Sequence, residues 1–182
     1  VPAAVYVPYV LPPDLRSRDY IKGDSYYYRA MVQSLYFDGD LDLQNNVTQD
    51  VENGQLAMDS AGRFVPKHSI LMPIVSIPFY DVWGDRGLLV FNVVTLMIAM
   101  LLTFRLNRLF NGPWISALVT VLTGTTTLFL NFSYNYSPDV FMTVFVLLGL
   151  CDLLERRDVR GGLWLGLSVF AKLQNVAIVA VA

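Results

Sequence analysis

Gly87-Leu88-Leu89-Val90-Phe91-Asn92-Val93-Val94-Thr95-Leu96-Met97-Ile98-Ala99-Met100-Leu101-Leu102-Thr103-Phe104 runs without a charged side chain and is followed at once by Arg105-Leu106-Asn107-Arg108. A helix that crosses the hydrocarbon core of a bilayer needs about 20 mostly apolar residues, so this stretch reads as a membrane span. The composition of the whole chain agrees. Its 182 residues are 54% hydrophobic and only 15% charged, with a mean hydropathy of +0.46, whereas a soluble domain carries about 25% charged residues. The expected fold class is an all-α multi-pass membrane protein. The net charge of −2 and the lack of a basic patch give no support to nucleic-acid binding.

Working outward from that span, three more apolar runs have helical length: 113–130, 139–154 and 161–182. Pro113 opens the first of them in the favoured first-turn position. Residues 1–13 are too short to cross and are expected to be the end of a first transmembrane helix, stopped by Pro12-Pro13. The chain begins at Val1 and ends inside an apolar run at Ala182, which reads as a piece of a longer membrane protein. Between the first two membrane segments lies a polar loop, 14–86, which carries an apolar half-length stretch, 69–80, interrupted by Pro73 and Pro78. That stretch is expected to be an interfacial or re-entrant half-helix. Arg105 and Arg108 lie in one short loop, and Arg156, Arg157 and Arg160 in the next but one. The excess of Lys and Arg in cytoplasmic loops puts both loops inside. The 14–86 loop and the turn Asn131–Asp139 then share the outer face.

The polar loop opens on Gly23-Asp24-Ser25-Tyr26-Tyr27-Tyr28-Arg29. Tyr28, Met31, Val32, Leu35 and Tyr36 follow at helical spacing, and Asp38-Gly39 supplies a stop. An amphipathic helix lying flat at the lipid–water boundary is expected. Asp24 can act as its N-cap or take part in chemistry. Asp139, at the mouth of an apolar helix, reads either as a first-turn acid favoured by the helix dipole or as a residue facing a cavity. Lys67-His68 reads as a snorkelling lysine with its neighbour or as a site for a lipid phosphate, which lysine binds as a point charge. Lys172, expected inside the last span, is a functional candidate because intramembrane charges are costly.

Several chemistries find little support. The single Cys151 rules out an intrachain disulfide and a multi-cysteine metal site. Asp38, Asp40 and Asp42 do not make a calcium loop, because Leu43 and Gln49 stand where Gly and Glu are required. Two acids and one imidazole leave room for a divalent metal ion, but no motif supports one, and no cofactor is expected.

The order of these features resembles the N-terminal part of the GT-C superfamily of membrane glycosyltransferases, near the protein O-mannosyltransferase and aminoarabinose transferase clan. The resemblance rests on Gly23-Asp24-Ser25-Tyr26-Tyr27-Tyr28 on the first outward loop, Pro66-Lys67-His68-Ser69 with Met72-Pro73 and Ile77-Pro78, the second outward turn Ser137-Pro138-Asp139, and the glycine-rich helix Gly162–Gly166 leading to Lys172. It implies a GT-C-like helical bundle and an active site on the extracytoplasmic side of the plasma (inner) membrane. It also implies transfer of a sugar from a polyprenyl phosphate to an acceptor glycan, lipid or protein. Asp24 would be the catalytic base, Lys67 and His68 would hold the lipid phosphate, Asp139 would be a second site acid, and Tyr27 and Tyr28 would line the substrate. Ser25 stands where many relatives carry a second acid, which argues against a metal held by paired carboxylates. The alternative is a non-enzymatic multi-pass protein, a transporter or assembly subunit, on a similar scaffold.

Overall fold

The computed structural model describes residues 23–47, 56–126, 129, 132, 135–172 and 176. The expected first membrane segment, 1–13, lies outside these residues, as does most of 173–182. The described chain is mostly helical. Helix α1 (Asp24–Gln33) runs directly into a π-helical turn, Ser34–Asp38, and ends at Gly39 in the left-handed conformation. A short antiparallel hairpin follows, β1 (Leu56–Met58) paired with β2 (Phe64–Pro66) in the register Ala57 to Val65. Then come α2 (Leu71–Trp83), α3 (Asp85–Arg108), α4 (Pro113–Thr126), α5 (Pro138–Leu154) and α6 (Asp158–Ala171).

The hairpin departs from the all-α expectation. Its turn is held by Asp59, whose carboxylate accepts from the Ala61 and Arg63 N–H groups at 2.8 and 2.9 Å. Such bonds from a short acid to its own downstream backbone stabilise a turn directly, and two three-residue strands suffice to close it.

Helix α3 is the longest element, with 24 residues, about 36 Å at 1.5 Å per residue. Among the described residues it is the one helix long and apolar enough to cross a membrane. Within the described residues the other expected spans show 14 helical residues in α4, 17 in α5 and 14 in α6; residues 127, 128 and 130 and most of 173–182 lie outside them. Helix α2 has 13 residues, about 20 Å, which suits the half-length expected of 69–80. The two prolines do not break it. Pro73 sits in the first turn, where backbone N–H groups have no intrahelical partner anyway, and Pro78 is carried inside the helix.

Helix α3 packs against α2, α4 and α5; α5 and α6 form a close antiparallel hairpin, and α1 lies on α2. The main core joins Tyr28, Met31 and Val32 of α1 to Met72 of α2, Phe91 of α3 and Tyr136 just before α5. Helix α1 is therefore a core element, with Ser25, Tyr27, Tyr28, Ala30, Met31 and Val32 all buried. Tyr26, Arg29 and Gln33, three and four residues apart, form its half-buried face, so the helix is two-faced and turns its apolar side into the protein. The loop carrying Leu43 and the hairpin residue Leu56 join the same cluster, so α1 is covered on more than one side.

Candidate functional site

A cavity of about 810 Å³ opens where the start of α1, the stretch between β2 and α2, and the end of α6 meet. Its polar lining is Asp24, Tyr28, Lys67, His68, Ser69 and Lys172. Residues separated by more than a hundred positions in sequence are brought together.

Asp24 is the first residue of α1 and is exposed. It is not the N-cap. That position belongs to Gly23, at φ 59 and ψ −135, and no side chain caps the helix. A residue with a Cβ is strained in that region of backbone space whereas glycine is not, so the helix start is set by Gly23. The Asp24 carboxylate sits in the first turn, where the helix dipole favours an anion, and lines the cavity.

Tyr28 lies one helical turn on, 2% exposed. Burial, with the carboxylates of Asp24 and Asp139 adding to it, raises its pKa well above the usual phenol value, so it remains a neutral hydrogen-bonding group. Its ring packs against the imidazole of His68, centroids 5.0 Å apart, and edge-on against Tyr136 at 6.5 Å. Tyr27 also meets His68, at 6.1 Å, but from behind. It is buried and does not line the cavity, unlike Tyr28.

His68 is lodged between these two tyrosines. Its Nε2 is enclosed and has no hydrogen-bond partner among the described residues. Burial lowers its pKa; Asp24 opposes that shift and Lys172 adds to it. The imidazole is therefore neutral near pH 7. Positive charge at the cavity therefore comes from the two lysines, Lys67 and Lys172.

Asp139 stands behind the cavity wall. Ser137 caps α5, its hydroxyl accepting from the Asp139 N–H at 3.2 Å and donating to Asp139 Oδ2 at 3.0 Å. Asp139 Oδ1 accepts from Lys172 Nζ at 2.6 Å. Lys172 directly follows the last residue of α6. Helix α6 stops at Ala171, and Lys172 takes an extended backbone, φ −155 and ψ 116, from which its side chain reaches the start of α5. The ion pair joins the end of α6 to the start of α5.

The support behind the cavity was not legible in sequence. Tyr136 is fully buried, and its hydroxyl meets that of Ser76 at 2.5 Å, while Ser76 Oγ also donates to the Pro73 carbonyl at 2.9 Å. Both residues occur in segments that read as an ordinary turn and an apolar run. A serine at a buried helical position of α2 was the sole available signal. Two acids of the first loop bond within it: Asp38 accepts from Asn45 and Asn46, and Asp40 from Ser34. Among the described residues no group of three or more His, Cys, Asp or Glu side chains is arranged to hold a metal ion.

The site thus presents one exposed carboxylate, two ammonium groups, one neutral imidazole and one protonated phenol. That set can bind an anion on its lysines and accept a proton on Asp24. The chain matches no protein-family model, no curated protein and no solved structure.

Proposed function

We propose that this cavity is the active site of a GT-C-type membrane glycosyltransferase, which moves a sugar from a polyprenyl phosphate to an acceptor glycan, lipid or protein at the outer face of the plasma membrane. The observation that carries the proposal is the gathering of Asp24, Lys67 and His68 on one cavity, with Asp139 behind it through Lys172. In this reading an acceptor hydroxyl attacks the anomeric carbon, its new C–O bond replacing the bond to the lipid phosphate. Asp24 takes the hydroxyl proton, as a general base within reach of the nucleophile would. Lys67 offsets the negative charge growing on the departing phosphate. His68, neutral, lines the cavity beside Tyr28 and helps shape the phosphate's seat. Asp139 holds Lys172 in place at the cavity wall.

The multi-pass arrangement belongs to the same proposal. Its support is the apolar outer faces of the helices: Val94, Met97, Ile98 and Leu101 on α3, Trp114, Ile115, Leu118 and Leu122 on α4, and Leu163 and Phe170 on α6 are all exposed. Exposed apolar patches on this scale mark a surface that meets lipid or a partner. The α3–α4 loop and the turn after α5 would then lie in the cytoplasm, by their arginines.

A non-enzymatic transporter or assembly subunit is the second reading, and the Lys172–Asp139 pair favours it, since such a pair can serve structure alone. Substituting Asp24→Asn separates the two. Loss of a general base lowers the rate by about 10²–10⁴-fold, so transfer from a polyprenyl-phosphate sugar should collapse while the amount of protein in the membrane is unchanged. Undiminished transfer by this variant would refute the assignment.

A further inference from the structure

At the opposite end of the α5–α6 hairpin, a tight turn projects a cluster of arginines. The Glu155 N–H bonds the Cys151 carbonyl at 3.0 Å, Arg156 bonds Leu153 at 3.0 Å and Arg157 bonds Asp152 at 2.8 Å. Arg156 occupies the left-handed region at φ 61, which residues with a Cβ seldom adopt. Beneath the turn, Asp152 is 1% exposed. Three guanidinium groups surround it: Arg105 Nη2 and Arg157 Nη1 at 3.6 Å from Oδ1, and Arg160 Nε at 3.4 Å from Oδ2. Neither carboxylate oxygen accepts a hydrogen bond. Asp152 gathers the guanidinium groups by charge without using up their N–H donors. Arg105 spends its donors on Glu155, at 2.6 and 3.1 Å. Arg157 Nη1 also lies 3.4 Å from Glu155 Oε2, while Arg157 and Arg160 remain 49% and 59% exposed.

Five arginines at this end, Arg105, Arg108, Arg156, Arg157 and Arg160, stand against Asp152, Glu155 and Asp158, which leaves a positive surface. Large apolar side chains flank it: Val159 is 80% exposed, Phe110 69% and Leu163 65%. Val159 and Leu163 are one helical turn apart on α6, so they share a face. A soluble anion would use the arginines and leave those side chains in water.

We infer that the α5–α6 turn is a binding site for the phosphate of an anionic phospholipid, with its acyl chains lying along Val159 and Leu163. Guanidinium groups suit phosphate because their donors form a planar fork, and basic residues beside a bilayer draw in anionic lipids. Asp152 is the positioning residue. The inference rests on the chain being a membrane protein, but not on its being a transferase.

The test uses the full chain in non-ionic detergent, titrated with phosphatidylglycerol or phosphatidylcholine and read by native mass spectrometry. Phosphatidylglycerol should bind preferentially. The preference should fall about fivefold for each arginine removed in Arg156→Gln and in Arg157→Gln with Arg160→Gln. Among the described residues Arg156 makes no ion pair with a carboxylate, so its variant tests the site even if the double variant fails to fold. Equal binding of the two lipids, or an unchanged preference in Arg156→Gln, would overturn the inference. So would competition by millimolar inorganic phosphate, which would mean a soluble anion is the ligand. Release of the chain from membranes by alkaline carbonate would instead overturn the membrane reading beneath it, and the inference with it.

Discussion

Replacing Lys172 by methionine keeps the length and apolar stem of the side chain and removes the charge that faces Asp139. The pair is close, 2.6 Å, and both side chains are about three-quarters covered, with exposures of 23% and 28%. At that distance two unit charges attract by about 6 kcal/mol at an effective dielectric constant of about 20. Lost hydration and residual solvent screening cancel most of this. Exposed pairs are worth about 0–1 kcal/mol, and breaking a fully buried pair costs about 3–5 kcal/mol. A pair with this exposure belongs between them, at about 2 kcal/mol. The lower end is favoured because Asp139 keeps the Ser137 hydroxyl and the positive end of α5 after Lys172 is gone. Lys172→Met and Asp139→Asn should each cost about 2 kcal/mol. For a chain of this size that is a fall in Tm of about 4–8 °C. The double variant should cost little more than either single one, because the second substitution removes a group already stranded by the first. Thermal unfolding of all four proteins in one detergent measures the cycle. Additive losses, with a coupling below about 0.5 kcal/mol, would show that the contact contributes nothing to holding α6 against α5.

The pH dependence of stability carries a second prediction. Burial holds the folded His68 below its usual pKa, so as pH falls below about 6.5 the unfolded chain binds its proton first. The associated stability is full above that pH and is lost as pH falls through the folded value. Asp24 and Lys172, the charged groups facing His68, pull that value in opposite directions. His68→Gln should therefore flatten the decline of Tm on acidification from neutral pH, and an identical decline in both proteins would contradict the burial argument. The α5–α6 crossing supplies a third, from two adjacent glycines. A Cβ on Gly161 would meet Leu153 at 2.7 Å and the Gly149 carbonyl at 3.1 Å, while one on Gly162 would meet nothing within 4 Å. Gly161→Ala should destabilise by about 1–3 kcal/mol through overpacking. Gly162→Ala should stabilise by about 0.5–1 kcal/mol through helix propensity. The same sign for both in thermal unfolding would mean the helices do not cross there.

What was legible in the sequence was whatever depends on near neighbours. The charge-free run Gly87–Phe104 marked α3 because helix length and apolar content are local quantities. The stop at Gly39 and the entry of α5 at Ser137-Pro138-Asp139 were likewise readable from turn and capping chemistry. Local reasoning erred where two devices could do the same job. Asp24 looked like a cap, but Gly23, through its backbone freedom, ends the chain's approach to α1 and leaves the carboxylate for the cavity. Pro78 looked like a break, and packing of α2 against α3 outweighs the single hydrogen bond it removes.

The sequence by itself determined which residues could bring ionisable groups to the site: Asp24, Lys67, His68, Asp139 and Lys172. It could not say which of them meet. Asp139 and Lys172 are 33 residues apart, and they pair because α5 and α6 pack as a hairpin and α6 ends at the level where α5 begins. His68 could not be read as neutral either, because its charge state depends on Tyr27 and Tyr28 closing around it from α1. Side-chain identity is fixed one residue at a time, whereas distance and desolvation depend on how distant segments pack; only the tertiary structure could decide them.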